Sequence, residues 1–418
     1  MEKMMIINAS ELVTCSGFKA KKGTEMMDLH IIEDGAVYVE DGKIVDLGTT
    51  AEVLSRHSKE NCQVFDAKGR AVLPGFIDSH THLVFGGHRA DEFNWRLRGD
   101  TYMEIMERGG GIANSVTATH SATKQELTKT ALRRLSSMLS FGVTTIEAKS
   151  GYGLDFDTEM KQLEVMQELE DLQPVEIVKT YLGAHSVPKE YKGRENQCVD
   201  NIINNVLPTV KEKHLAEFVD IFVEKNVFSV EDGRRLLNTA KELGFKTKIH
   251  ADEMVCLGGA ELAAEVGATS ADHLLQASDK GISDMAKAGV VATVLPCTAF
   301  NLKENYARGR KMIDEGCALA IATDYNPGSC YCENLALAFL LATLYMDIRV
   351  EEAVTAITIN GAAAIGKEGE VGSIDIGKQA DFAVLEYPSY KFIPYHIGTS
   401  SVQTVIKKGK VIFERYND

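Results

Sequence analysis

Two histidines two residues apart, His80 and His82, end the apolar run AVLPGFIDSHTH. In a β-strand, residues i and i+2 face the same side, so both imidazoles would reach one ion. A third imidazole, His250, lies in FKTKIHADE, and a carboxylate, Asp324, ends ALAIATD. Three imidazoles and a carboxylate suit Zn(II), Fe(II) or Mn(II). A lone histidine on an apolar strand is more often a hydrogen-bonded core residue. Four donors, each closing an apolar run, point instead to a metal centre made by His80, His82, His250 and Asp324.

Further polar groups gather at similar positions. Glu253, three residues after His250, falls just past its run and suits a proton shuttle, the bland alternative being an exposed loop acid. His273, in TSADHLL, would orient or deprotonate a water at the metal, or polarise a carbonyl under attack. Asp324 would itself accept a proton from that water. His185 ends VEIVKTYLGAH. Arg89, in GGHRADEF, has the planar fork that binds a carboxylate, although an arginine in such a loop is more often a solvated ion-pair partner. His88, His120 and His214 read as surface or structural residues. Gly109–Gly111 follows a helical segment and not a strand, so it reads as a lid or turn and not as a phosphate cradle.

These groups need a frame that brings distant segments together. Eight apolar runs lie between residues 71 and 360: AVLPGFIDSHTH, GVTTIEAKSG, VEIVKTYLGAH, FVDIFVEK, FKTKIHADE, TSADHLL, VVATVLP and ALAIATD. Amphipathic helical stretches separate them. In one, Thr123 and Glu126 form a capping box, Leu127, Ala131, Leu135 and Met138 share a face, and Gly142 ends the helix. In another, Met160, Leu163, Met166 and Leu169 share a face. Apolar strands alternating with helices mean a parallel sheet covered on both sides, and eight such units predict a (β/α)8 barrel. An open doubly wound sheet is the alternative, but no Gly-rich dinucleotide fingerprint follows the first strand. In a barrel the functional side chains cluster at the carboxyl ends of the strands, where the donors fall.

The flanks have a different texture. Residues 1–70 carry short alternating strands with a hairpin turn at Asp41-Gly42, and residues 365–418 repeat the pattern. We expect a small β-sandwich domain built from both termini around a barrel over 71–364. Hydrophobic residues at 44% supply a large core, and a formal charge of −15 argues against a nucleic-acid partner. Eight scattered cysteines suggest no disulfide framework, and Cys330 and Cys332 read as ordinary reduced thiols. No stretch reaches the roughly 20 apolar residues of a membrane span, and no signal peptide is evident, so the expected location is cytoplasmic.

PGFIDSHTH, HADE, the DH pair of the sixth run, ATDYNPGS and the closing GSIDIGKQADFAVLE resemble the amidohydrolase superfamily over nearly the whole chain. HLVFGGHRADEFNWRLRG, EAKSGYGL, LGAHSVP and ATDYNPGSC are similar, within it, to hydrolases that open 4-imidazolone-5-propanoate to N-formimidoyl-L-glutamate in histidine degradation. That resemblance implies one zinc or iron ion per subunit on His80, His82, His250 and Asp324. It implies a small-molecule substrate contacted by Arg89, Tyr152, His185, Glu253, Asn326, Gly328 and Ser329, with Glu253, His273 and Asp324 catalytic. Two-metal members carry a bridging lysine on strand four. Here that run ends in Glu224-Lys225, and the rest of the pattern reads as mononuclear. A homodimer is expected. The alternative activity is deamination of a purine, pyrimidine or related heterocycle on the same scaffold.

Overall fold

The computed structural model describes residues 2–100, 104–105 and 108–416. All eight apolar runs are parallel strands: β6 (Phe76–Thr81), β7 (Val143–Lys149), β8 (Glu176–Ala184), β9 (Phe218–Val223), β10 (Lys246–Ala251), β11 (Ser270–His273), β12 (Val291–Val294) and β13 (Leu319–Ile321). They pair in chain order from β6 to β13. The first and last strands meet just beyond β13, where Thr81 bridges Tyr325 and the Asp324 amide donates to the His80 carbonyl at 3.0 Å. Asp78 strengthens this seam by accepting from the Thr323 amide at 3.0 Å and from its hydroxyl at 2.6 Å. The result is a nearly closed (β/α)8 barrel.

The helices between these strands start and stop where their chemistry directs. Thr123 and Glu126 form the expected reciprocal cap on helix Lys124–Ser140, and Ser229 with Asp232 caps Val230–Glu242 in the same way. Leu127, Ala131, Leu135 and Met138 are buried against the barrel, as are Met160, Leu163, Met166 and Leu169.

The terminal strands are β1 (Lys3–Val13), β2 (Ile31–Glu40), β3 (Lys43–Thr49), β4 (Gln63–Asp66), β5 (Val72–Pro74), β14 (Phe382–Leu385), β15 (Val402–Lys407) and β16 (Lys410–Glu414). They form one mostly antiparallel eight-stranded sheet, in the order β16-β15-β14-β5-β1-β2-β3 with β4 paired to β1. Asp41 and Gly42 turn the β2–β3 hairpin with φ of 46° and 76°, the left-handed pair that a tight hairpin needs. Both ends of the chain therefore share one sheet. Among the described residues, no helix is long and apolar enough to cross a membrane.

Candidate metal centre and substrate pocket

The carboxyl rim of the barrel gathers the predicted donors. His80 and His82 leave β6 on one side, and His250 leaves β10. Asp324 follows β13, with its Oδ1 3.4 Å from His80 Nε2 and 3.7 Å from His82 Nε2. The His80 and His250 rings lie 4.7 Å apart, centre to centre. Donor atoms converge in three overlapping groups: His80 with His250 and His273, His82 with His185 and His250, and His80 with His82 and Asp324.

The residues present fit a metal ion. His80 Nε2 and His250 Nε2 are buried and have no hydrogen-bond partner in the protein, an arrangement that is expensive for neutral polar groups unless another ligand completes them. Burial, reinforced by the nearby charge of Lys149, pushes His80 well below the usual imidazole range, so its ring offers a lone pair at neutral pH. Burial does the same to His82, with His185 adding to it. Asp272 Oδ2 lies 2.7 Å from His80 Nδ1 and accepts its N–H, which leaves Nε2 as the lone-pair nitrogen facing inward. Thr298, on helix Pro296–Leu302, donates to Asp324 Oδ2 at 2.6 Å and leaves Oδ1 facing the histidines. Asp324 is buried, and burial pushes its carboxyl up to about 6 against that hydrogen bond.

The loops that carry the other predicted residues are each held by one side chain that collects their amides. Glu159 accepts from the Gly151, Gly153 and Leu154 amides at 2.8–3.1 Å and fixes the turn bearing Tyr152. Asp252 accepts from Leu257, Gly258, Gly259 and Ala260, which anchors the segment after Glu253 to the next helix. Asn326 Oδ1 accepts from the Gly328 and Ser329 amides at 2.8 Å each, while its Nδ2 donates to the Asp324 carbonyl and to Ser329 Oγ. The Asn326 side chain is therefore engaged within its loop. Asp252, His273, Leu274 and Asp324 all have φ between 49° and 76°, a backbone state that bulky residues rarely adopt. Such strain is typical of sites where the surrounding structure dictates geometry.

Glu253 Oε2 lies 3.6 Å from His273 Nε2. Burial pushes the Glu253 carboxyl up to about 8, and the charges of Asp324 and Glu224 add to the shift. Tyr152 packs edge-on to His82 and His185, with ring centres 5.4 and 5.3 Å away. His185 Nδ1 donates to the Gly151 carbonyl at 3.0 Å, and burial, then His250, pushes this imidazole down to about 3. Arg89 directly precedes helix Ala90–Leu97 and lays its guanidinium over Gly328: a β-carbon there would sit 1.1 Å from Arg89 Nη2. Arg89 Nε is buried without a partner. With Phe93, Asn301, Gly328 and Tyr331 it lines a cavity of about 650 Å³. A cleft of about 740 Å³ lies elsewhere, beside Glu176 and Lys407, away from the donor ring.

Lys225 is exposed, and the Gly109–Gly111 run is a turn whose last amide donates to Glu92 at 2.9 Å. Residues 101–103 and 106–107, just before that run, lie outside the description. The sequence reading passed over Asp220, Lys248 and Thr298. The first two carried a signal: Lys248 stands two residues before His250 and shares its side of the strand, and Asp220 is a carboxylate inside the apolar run of β9.

An eight-stranded parallel barrel with an inward donor ring at its carboxyl rim is the arrangement of amidohydrolases, and the model of the amidohydrolase family matches residues 71–412. A second model, for an imidazolonepropionase-like composite domain of bacteria, matches residues 35–57. The chain is 56% identical to an imidazolonepropionase of Clostridium tetani over 99% of this chain and 98% of that one. It is 54% identical to one of Parabacteroides distasonis over 98% of both. Among solved structures it resembles a zinc-bound adenosine deaminase of Xanthomonas campestris, with a TM-score of 0.72 and 17% identity over 99% of this chain and 93% of that one. It also resembles an atrazine chlorohydrolase of Arthrobacter aurescens complexed with zinc, with a TM-score of 0.74 and 16% identity over 98% and 95%. Those two likenesses concern the fold. The chain belongs to the imidazolonepropionase family of amidohydrolases.

Proposed function

We infer that the chain hydrolyses the cyclic C–N bond of 4-imidazolone-5-propanoate to give N-formimidoyl-L-glutamate, the third step of histidine degradation. The observation that carries this reading is its likeness, at 51–56% identity over nearly full length, to relatives named imidazolonepropionase. The same relatives weigh against deamination of a heterocycle.

His80, His82, His250 and Asp324 would hold one zinc or iron ion. Bound there, it would supply Lewis acidity and make a water more acidic at neutral pH. Water adds its oxygen to the ring carbonyl carbon, the ring C–N bond breaks, and one proton must travel from the water to the departing nitrogen. Asp324 is suited to accept that proton, because Oδ1 faces the histidines while Thr298 holds Oδ2. Glu253 is suited to deliver one, because a carboxyl raised to about 8 is protonated at neutral pH. His273, neutral and beside Glu253, donates to the oxygen on which charge develops. Arg89, seated over Gly328, binds the propanoate tail, and Tyr152 and His185 flank the ring. Asn326 and Ser329 shape the loop that presents Gly328. A homodimer in the cytoplasm completes the proposal, closed two-fold pairs being the commonest assembly of soluble enzymes.

The decisive experiment follows ultraviolet absorbance of freshly generated 4-imidazolone-5-propanoate, with metal analysis of the same sample. We expect loss of the imidazolone band, formation of formimidoylglutamate and close to one metal ion per chain. A metal-loaded chain that leaves the substrate intact would overturn the assignment.

A further inference from the structure

Below the donor ring, the barrel interior contains a layer of five charged side chains: Glu147 and Lys149 on β7, Asp220 on β9, Lys248 on β10 and Asp272 on β11. All are fully buried. Lys149 is the hub. Its Nζ lies 2.7 Å from Glu147 Oε1, 2.8 Å from Asp220 Oδ2 and 3.6 Å from Asp272 Oδ2. Lys248 Nζ lies 3.4 Å from Asp272 Oδ2 and donates to the Ser79 carbonyl at 2.9 Å.

The two aspartates each face a predicted metal ligand. Asp272 Oδ2 meets His80 Nδ1 at 2.7 Å. Asp220 Oδ2 lies 3.0 Å from His250 Nδ1, although the pair is not aligned as a hydrogen bond. One ammonium therefore sits between the two carboxylates that orient two imidazoles from different strands. Glu147 also meets the hub, and its Oε1 lies 3.9 Å from Lys248 Nζ. Its Oε1 takes Lys149 and the Thr180 hydroxyl.

A core layer of apolar side chains would be simpler, because buried ion pairs rarely add net stability and breaking one is costly. Partners of a ligand histidine have a separate use: they fix the ring's tautomer and direction, and losing them commonly weakens metal binding by about 10–100-fold. We propose that Lys149 is a positioning residue for the metal centre, fixing Asp220 and Asp272 so that His250 and His80 present Nε2 to one ion. It touches neither substrate nor metal. This inference rests on the metal reading of the histidine ring given above.

The test compares zinc retention against a chelator in the wild-type chain, Lys149→Met and Glu147→Gln, each also loaded with cobalt(II) for its visible spectrum. Both substitutions disrupt the same buried layer, but only the first removes the group that faces both aspartates. Lys149→Met should release zinc at about 10-fold lower chelator concentration or less, with a changed cobalt spectrum. Glu147→Gln should stay within about 3-fold of wild type and keep the wild-type spectrum, even where its melting temperature falls. If Lys149→Met does not fold, the charge-compensated pair Lys149→Met with Glu147→Gln is measured instead, with the same loss expected. Wild-type retention and spectrum in a folded Lys149 variant would overturn the role, as would equal losses in both single variants. A wild-type chain that holds no zinc would overturn the metal reading, and this inference with it.

Discussion

At the barrel rim, burial drives Glu253 and Asp324 toward the neutral form, to about 8 and about 6. One layer down, Asp220 and Asp272 are equally shielded from water and yet lie below the ordinary carboxylate range. Burial would raise them too. For Asp220, His250 and Lys149 overcome it; for Asp272, Lys248 and Lys149 do. The rim also has imidazole nitrogens without partners, strained φ angles and a guanidinium with a free Nε, whereas the layer beneath is knit by short ion pairs. The difference separates two tasks. Groups that must bind or pass a proton are left incomplete, and groups that must only aim them are completed.

The largest expected effect tests whether the rim can be emptied without losing the layer. Replacing His80 and His82 together with Ala should abolish bound metal and turnover, while circular dichroism keeps the wild-type spectrum, because Lys149 and Lys248 still balance the layer below. Full metal retention by elemental analysis would break the comparison from above, and an unfolded chain would break it from below. A smaller effect is expected at Glu253, the proposed proton donor. Glu253→Gln should keep the metal and lower turnover by about 10²-fold. Its raised carboxyl is protonated at neutral pH and loses the proton as pH rises through about 8, so the wild-type rate should fall on that alkaline side. A pH–rate profile whose alkaline limb survives in the Gln variant would assign that limb to another group. The smallest effect concerns the tail. Gly328→Ala places a methyl group where Arg89 lies and should raise KM for the propanoate substrate by about 10-fold with little change in melting temperature. An unchanged KM would mean that Arg89 does not need that seat.

Much of this was legible in residue order. The eight strands announced themselves as apolar runs, and three of those runs carry the four proposed metal donors at their ends. Residue spacing also carried the capping box at Thr123 and the turn at Asp41-Gly42. The layer beneath was less visible. Its charges lie singly or in pairs inside apolar runs, and Glu147, Lys149, Asp220 and Lys248 show no common role until barrel closure brings β7, β9, β10 and β11 around one axis. The seat of Arg89 was hidden for the same reason. Gly328 reads as a turn residue in sequence, and only the fold shows that a side chain 239 positions away occupies the space its missing β-carbon leaves. The left-handed backbone at His273 and Asp324 had no residue signature, since neither position is glycine.

The terminal sheet has a consequence for the ribosome. Val72 of β5 pairs with Val384 of β14, and Ser10 donates to the Pro388 carbonyl at 2.6 Å. During translation the first strands emerge while roughly 300 residues remain to be made, a delay of roughly 15–60 s at about 5–20 residues per second. For that interval β5 offers an unpaired edge, the kind of edge that recruits wrong partners. The barrel, whose neighbouring strands follow one another in order, can assemble as it appears, whereas the sheet must wait for its last third.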